Sequence, residues 1–157
     1  MKNIFLTLGF LLSAIITSAQ YKESDLEGGT WVLTKESDIA AMLDITISFK
    51  NGEMFCFSKL HASATDTTTI YTEKTIHQYY LSDHQEDFFD ETKFQKNRKG
   101  IYIIISNPND KTKASAEKIE ELTPSKMTLQ PLRTLKREEG VVYIGCTPTP
   151  TYYVRKL

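Results

Sequence analysis

Three histidines, two cysteines and a scatter of carboxylates are the residues of this chain that could carry chemistry. His84 draws attention first, because Asp83, Glu86 and Asp87 surround it and imidazole with carboxylates can hold a metal. No helical His-x-x-x-His pair and no cysteine cluster supports such a site, and a solvated polar loop accounts for the same residues. No metal and no cofactor is therefore expected. His77 lies in a β-rich stretch and could face a core, where a hydrogen-bonded packing role suits it better than a functional one. His61 opens a run of small and polar residues that reads as a loop. There is no Gly-x-Ser-x-Gly nucleophile motif, and no phosphate-cradling loop, since only Gly28 and Gly29 are adjacent among the glycines. The paired carboxylates Glu120-Glu121 and Glu138-Glu139 are sequence neighbours. Neighbours on a strand point to opposite faces, so neither pair can work on one substrate. The reading is a protein without catalytic residues, not an enzyme.

Whatever these residues do, short strands must position them. Trp31 to Lys35 reads as a first strand behind Gly28-Gly29, and Tyr21 to Glu27 as a short turn or 3₁₀ lead-in anchored by Leu26. Ser37 to Met42 offers an N-cap and at most two helical turns. Leu43 to Lys50 alternates apolar and polar without error, the mark of a strand with one wet face. Asn51-Gly52 and a return strand from Glu53 to Leu60 follow. A two-residue turn there would put Phe55 and Phe57 on the wet face with Ser48 and Thr46. A three-residue loop, Lys50 to Gly52, would pair them with Ile47 and Ile45 instead. Burying a phenylalanine is worth roughly 1.5–3 kcal/mol, so the longer loop is expected. Thr67 to Thr72 and Thr75 to Ser82 are β-rich, as a hairpin or as one interrupted strand. Asp83 to Arg98 reads as an ordered crossing loop anchored by Phe88, Phe89 and Phe94. Ile101 to Ile105 is apolar on both faces and should be covered on both. Glu117 to Leu122, Lys126 to Gln130, Val141 to Ile144 and Tyr152 to Lys156 complete the strands. Eight to ten short antiparallel strands without a long helix indicate an all-β barrel. An immunoglobulin-type sandwich would place the tryptophan between two cysteines, whereas Trp31 precedes both Cys56 and Cys146.

Met1 to Ala19 has the three parts of an export signal: Lys2, an apolar run from Ile4 to Ile16, and small residues up to Ala19. The apolar run is shorter than the ~20 residues of a spanning helix, so no stable membrane anchor is expected. The expected organisation is a signal peptide over 1–19 and one barrel domain over 20–157, in a periplasm or outside the cell. In such a compartment Cys56 and Cys146 could oxidise, but an up-and-down order keeps the third strand away from the last, and no bridge is expected. The net charge is −1, and the densest basic run is only Lys96 to Lys99, so nucleic acid is not an expected partner.

Several stretches carry a family likeness. Leu26 through Trp31, Ile45 to Phe49 with Asn51-Gly52, Ile119 through Leu129, and Tyr153-Val154-Arg155 resemble the lipocalin-like domains of small exported bacterial proteins. Tyr79 to Ser82 and Gly100 to Ile103 are similar to their middle strands. The resemblance implies an up-and-down barrel with an internal cavity for small apolar molecules. Gly29, Trp31 and Arg155 would be its structural signature, with Trp31 and Arg155 in contact where first and last strands meet. The candidate cavity lining is Trp31, Leu33, Ile45, Ile47, Phe55, Phe57, Leu81, Ile103 and Ile105. The same side chains could instead fill a solid barrel, which is just wide enough at eight strands for either outcome. A carrier of a small apolar ligand, with no chemical step, is the first expectation. A filled barrel acting as an envelope or protein-interaction module is the second.

Overall fold

The computed structural model describes residues 20–35, 41–132, 137–138, 141–142 and 149–156. The chain begins with β1 (Tyr21–Lys22) and a single helical turn, α1 (Glu23–Leu26). It continues through β2 (Thr30–Leu33), β3 (Leu43–Lys50), β4 (Glu53–His61), β5 (Thr69–Ser82), β6 (Lys99–Gly100), β7 (Tyr102–Asn107), β8 (Asp110–Leu122) and β9 (Lys126–Leu132). Two short strands follow, β10 (Arg137–Glu138) and β11 (Val141–Val142), and then β12 (Thr151–Lys156). Eight of these close an antiparallel barrel in the order β12-β2-β3-β4-β5-β7-β8-β9. Only neighbours in the chain pair, and β12 closes the cylinder on β2, so this is the expected up-and-down barrel. β1 pairs with β6, and β10 with β11, outside it. Ser37 to Ala40, Tyr143 to Cys146 and the export signal lie outside the described residues, and so does any bridge to Cys146.

Strand direction gives the barrel two unlike ends. The β3–β4 turn, the 83–98 crossing, the β8–β9 turn and α1 gather at one end. At the other end β2, β4, β7 and β9 finish and β3, β5, β8 and β12 start.

The β3–β4 turn corrects one expectation. Lys50 pairs with Glu53, Ser48 with Phe55 and Thr46 with Phe57, so the loop has two residues. Asn51 and Gly52 both have positive φ, 53° and 77°, as a type I′ turn requires. Phe55 and Phe57 therefore point outward, and Met54 and Cys56 point in. β4 is apolar on both faces in Met54-Phe55-Cys56-Phe57, so sliding it by one residue would expose as well as bury. The outward rings are also only half-exposed, and the Lys59 and Lys74 ammoniums lie 5.4 and 5.7 Å from the Phe57 centroid.

Other expectations resolve simply. Thr69–Ser82 is one continuous strand. β8 starts seven residues before Glu117, in a stretch without hydrophobic alternation. β7 is covered on both faces as its sequence demands. Ile103 and Ile105 enter the barrel core, while Ile104 packs outside with Tyr80, Phe89 and Ala116 beneath the crossing segment. Phe89 and Phe94 anchor that segment, but Phe88 does not, being 70% exposed. Glu86 takes over its role. Its carboxylate accepts from Tyr80 Oη (2.8 Å), Ser82 Oγ (2.6 Å) and Lys93 Nζ (2.8 Å). Burial raises the Glu86 pKa, and these three bonds, Lys93 first, outweigh it and bring the net shift down.

Candidate functional site

The closed end is a packed floor. Trp31 enters at 0% exposure, and its indole N–H donates to the Leu26 carbonyl at 2.8 Å, fixing α1 across the barrel end. Arg155 is its cross-strand partner, and the guanidinium lies 4.2 Å from the ring centroid. The same guanidinium donates to the Asp25 carbonyl. Gly29 makes this possible, because a Cβ there would stand 2.9 Å from Arg155 Cγ and 3.0 Å from the Lys156 carbonyl oxygen. Gly29, Trp31 and Arg155 thus pack together. Phe49 and Tyr79 meet edge to face at 5.0 Å beside Met54, Leu81, Ile119 and Met127. Burial raises the Tyr79 pKa well above its ordinary value.

Toward the other end the inward positions change in character. The register places Ile45, Cys56, Ser58, Thr75, Ser115, Glu117, Pro131 and Thr151 on the interior face. These are small, β-branched or polar side chains, and none of them is fully buried. Their residual exposure coincides with the stretch of β5 before Tyr79, where β7 no longer pairs with it. β2 and β3 also part beyond the Val32–Thr46 pair. A groove of about 540 Å³ runs along the outer wall over these strands, from Gly29, Thr30 and Lys156 at the closed end past Val32 and Thr46 to Lys35 and Asp44. A depression of equal volume lies outside the closed end, among Glu23, Glu27, Asn51, Gln95 and Asn97. It is open and polar, unlike an apolar ligand site.

Of the nine residues proposed from sequence, Trp31, Leu33, Ile47, Leu81, Ile103 and Ile105 belong to the interior cluster, and Ile45 packs against it. Trp31, Leu81 and Ile103 are fully enclosed by it. Leu33, Ile45 and Ile47 come nearest the open half. Phe55 and Phe57 are on the outside, for the reason given by the turn.

Glu117 is the residue that sequence reasoning passed over. It lies on the inward face of β8 between Ser115 and Ile119, opposite Ile103 on β7 and Pro131 on β9. Among the described residues no hydrogen bond or ion pair reaches its carboxylate. Burial pushes its pKa up to about 7. It acts across the interior on Cys56 and on Tyr153: burial first, then the Glu117 charge, raises both. Its signal in the sequence was weak, because it sits in the charged run Glu117-Lys118-Ile119-Glu120-Glu121.

The histidines take structural places. His61 is buried at the end of β4, with Nε2 2.7 Å from the Asp44 carboxylate and Nδ1 3.0 Å from the Thr67 carbonyl. The bond from His61, followed by the one from Lys35, lowers the Asp44 pKa. His77 Nδ1 lies 3.1 Å from the Ser106 carbonyl. His84 is 3.7 Å from Glu86, whose carboxylate is committed to Lys93. No group of three potential metal ligands occurs among the described residues.

No family model, no curated protein and no solved structure matches this chain.

Proposed function

We propose that this protein is an exported, lipocalin-like barrel that binds a small, largely apolar molecule in the open half of its interior, with no chemical step. The observation that carries the reading is the partial exposure of inward-facing side chains above a fully packed floor. An eight-stranded barrel has room for one small ligand when its inward side chains are small. Here Cys56, Ser58, Thr75, Ser115 and Thr151 meet that condition. Leu33, Ile45 and Ile47 supply apolar walls. Trp31 and Leu81 form the base on which these walls stand.

The test uses Trp31, the only tryptophan. The protein beginning at Gln20 is titrated with fatty acids, sterols and tetrapyrroles while Trp31 emission and Tm are followed. A ligand at 100 times its Kd is expected to add about 2.7 kcal/mol of stability. Silence of both signals across alkyl, sterol and tetrapyrrole probes would remove the reading.

A surface-acting module is the second reading, and one feature favours it. Ile70 and Ile76 are 61% and 60% exposed on the outer face of β5, and Phe55 pairs with Ile76 across the strands. Along Thr69–His77, β5 pairs only with β4, because β7 takes up Tyr79–Ser82 alone. An apolar face next to an open strand edge is a surface to which a partner strand can add. Ile76→Lys separates the two readings: it would weaken a protein partner and leave small-molecule binding unchanged.

A further inference from the structure

Glu117 is out of keeping with a chamber for a purely apolar molecule. A carboxylate partly withdrawn from water without a partner is costly, and proteins ordinarily pair it or hydrogen-bond it. Among the described residues, the groups around it do not neutralise it. Ile103 on β7 and Pro131 on β9 are apolar, as are Leu33 on β2 and Ile45 on β3. Cys56 on β4 and Tyr153 on β12 become anionic when they ionise, and Glu73 on β5, toward the mouth, adds a like charge to Cys56. The nearby cations among the described residues are engaged elsewhere. Arg155 lies on the floor against Trp31, and Lys113, toward the mouth, is 3.3 Å from Asp110. His77 on β5 is held at the Ser106 carbonyl.

The result is a local negative centre at the boundary between the packed floor and the solvent-reached half. Ile119 is buried one step below it on the same face, and Ser115 is exposed one step above.

Resting on the chamber reading, we propose that Glu117 is a specificity-determining residue that receives the cationic nitrogen of an amphipathic amine, whose apolar part lies against Leu33, Ile45 and Ile47. An alkylammonium supplies both the charge and the hydrogen-bond donors that the carboxylate lacks. No proton or covalent change is needed beyond ionisation of Glu117 itself. Because that carboxyl titrates near neutrality, amine affinity rises from acidic pH to about pH 8 and then levels.

The experiment compares three probes of one chain length, dodecylamine, dodecanol and dodecanoate, all below their micellar concentrations. Each is titrated into the protein at pH 5.5 and pH 8 by calorimetry and Trp31 emission. Dodecylamine is expected to bind on the order of tenfold or more tighter than dodecanol at pH 8, as a charge-assisted bond implies. Its advantage shrinks at pH 5.5. Glu117→Gln, which keeps the shape, is expected to reduce the amine-to-alcohol ratio to about one and to remove its pH dependence, with dodecanol affinity unchanged. Equal amine and alcohol affinities at pH 8 would overturn the role of Glu117 while leaving the chamber standing. So would an amine preference that persists in Glu117→Gln, or a preference for dodecanoate at pH 8. Failure of all three probes to bind would overturn the chamber and the role together. If Glu117→Gln fails to fold, the pH series on the unaltered protein still decides: an amine advantage that does not shrink at pH 5.5 overturns the role.

Discussion

At one end of the barrel Trp31, Phe49, Tyr79 and Met127 fill the interior; at the other, Ile45, Cys56, Thr75 and Thr151 on the same sheet point inward and stay in contact with solvent. The sheet itself differs between the halves: before Tyr79, β5 pairs only with β4, and the β2–β3 pairing ends at Val32–Thr46. Side-chain volume adds to this. Large aromatic and thioether groups close the first half, and serine, threonine and cysteine cannot close the second. The closed end adds fixed polar contacts, with Trp31 bonded to Leu26 and Arg155 laid on the indole. The open end keeps a carboxylate, Glu117, with no such partner among the described residues. The fully buried side chains are concentrated in one half, and the partly exposed inward ones lie in the other.

The sharpest way to break this comparison is a large-to-small change in the floor. Trp31→Ala is expected to cost about 3–5 kcal/mol, because it empties the floor and unpins Arg155 and α1. Urea unfolding reads this directly, and a cost near 1 kcal/mol would show that the floor is not packed as described.

Glu117 sharpens the comparison through pH. A carboxyl whose folded pKa is raised holds its proton more tightly folded than unfolded. Its favourable contribution is therefore full below about 4.5, the unfolded value, and is lost as pH rises through about 7. Glu117→Gln should match the natural protein near pH 4 and be more stable than it above pH 7, by about 1–3 kcal/mol. Parallel stability curves from pH 4 to 8 would place Glu117 in ordinary solvent.

Arg155→Lys keeps the charge but loses the flat stack and the forked donors. A loss of about 0.5–2 kcal/mol is expected, along with a changed Trp31 emission. Phe57→Thr on the outer wall should cost less, about 1 kcal/mol or under, since its ring is only half-covered by Lys59 and Lys74. A larger loss there would mean that the outer face is buried in an assembly.

The framework was legible where one physical signal acted alone. Leu43 to Lys50 alternates strictly and forms β3, and Ile103 to Ile105 is covered on both faces. The resemblance, with first and last strands meeting in a barrel, placed Trp31 against Arg155, and they touch. Legibility failed where two signals competed. On β4 both faces are apolar, so hydrophobic patterning could not set the register, and the Asn51-Gly52 backbone did. The first half of β8, Asp110 to Ala116, has no alternation because one face meets the crossing segment and the other meets solvent inside the barrel. Glu117 was hidden by the same cause: an inward carboxylate inside a charged run looks like an exposed one.

Cys56 gives the most direct test of an open half above a filled floor. In Cys146→Ser, a small thiol reagent is applied to the folded protein at about pH 9, since burial holds the Cys56 thiol above its ordinary pKa, and the labelling rate is followed from zero to about 1 M urea. A thiol that faces a solvent-reached chamber reacts in the native state, so its rate should be measurable without urea and flat with concentration. A rate that climbs exponentially from the first addition of urea, in step with global unfolding, would mean that Cys56 is sealed in a solid core and that the barrel is filled from end to end.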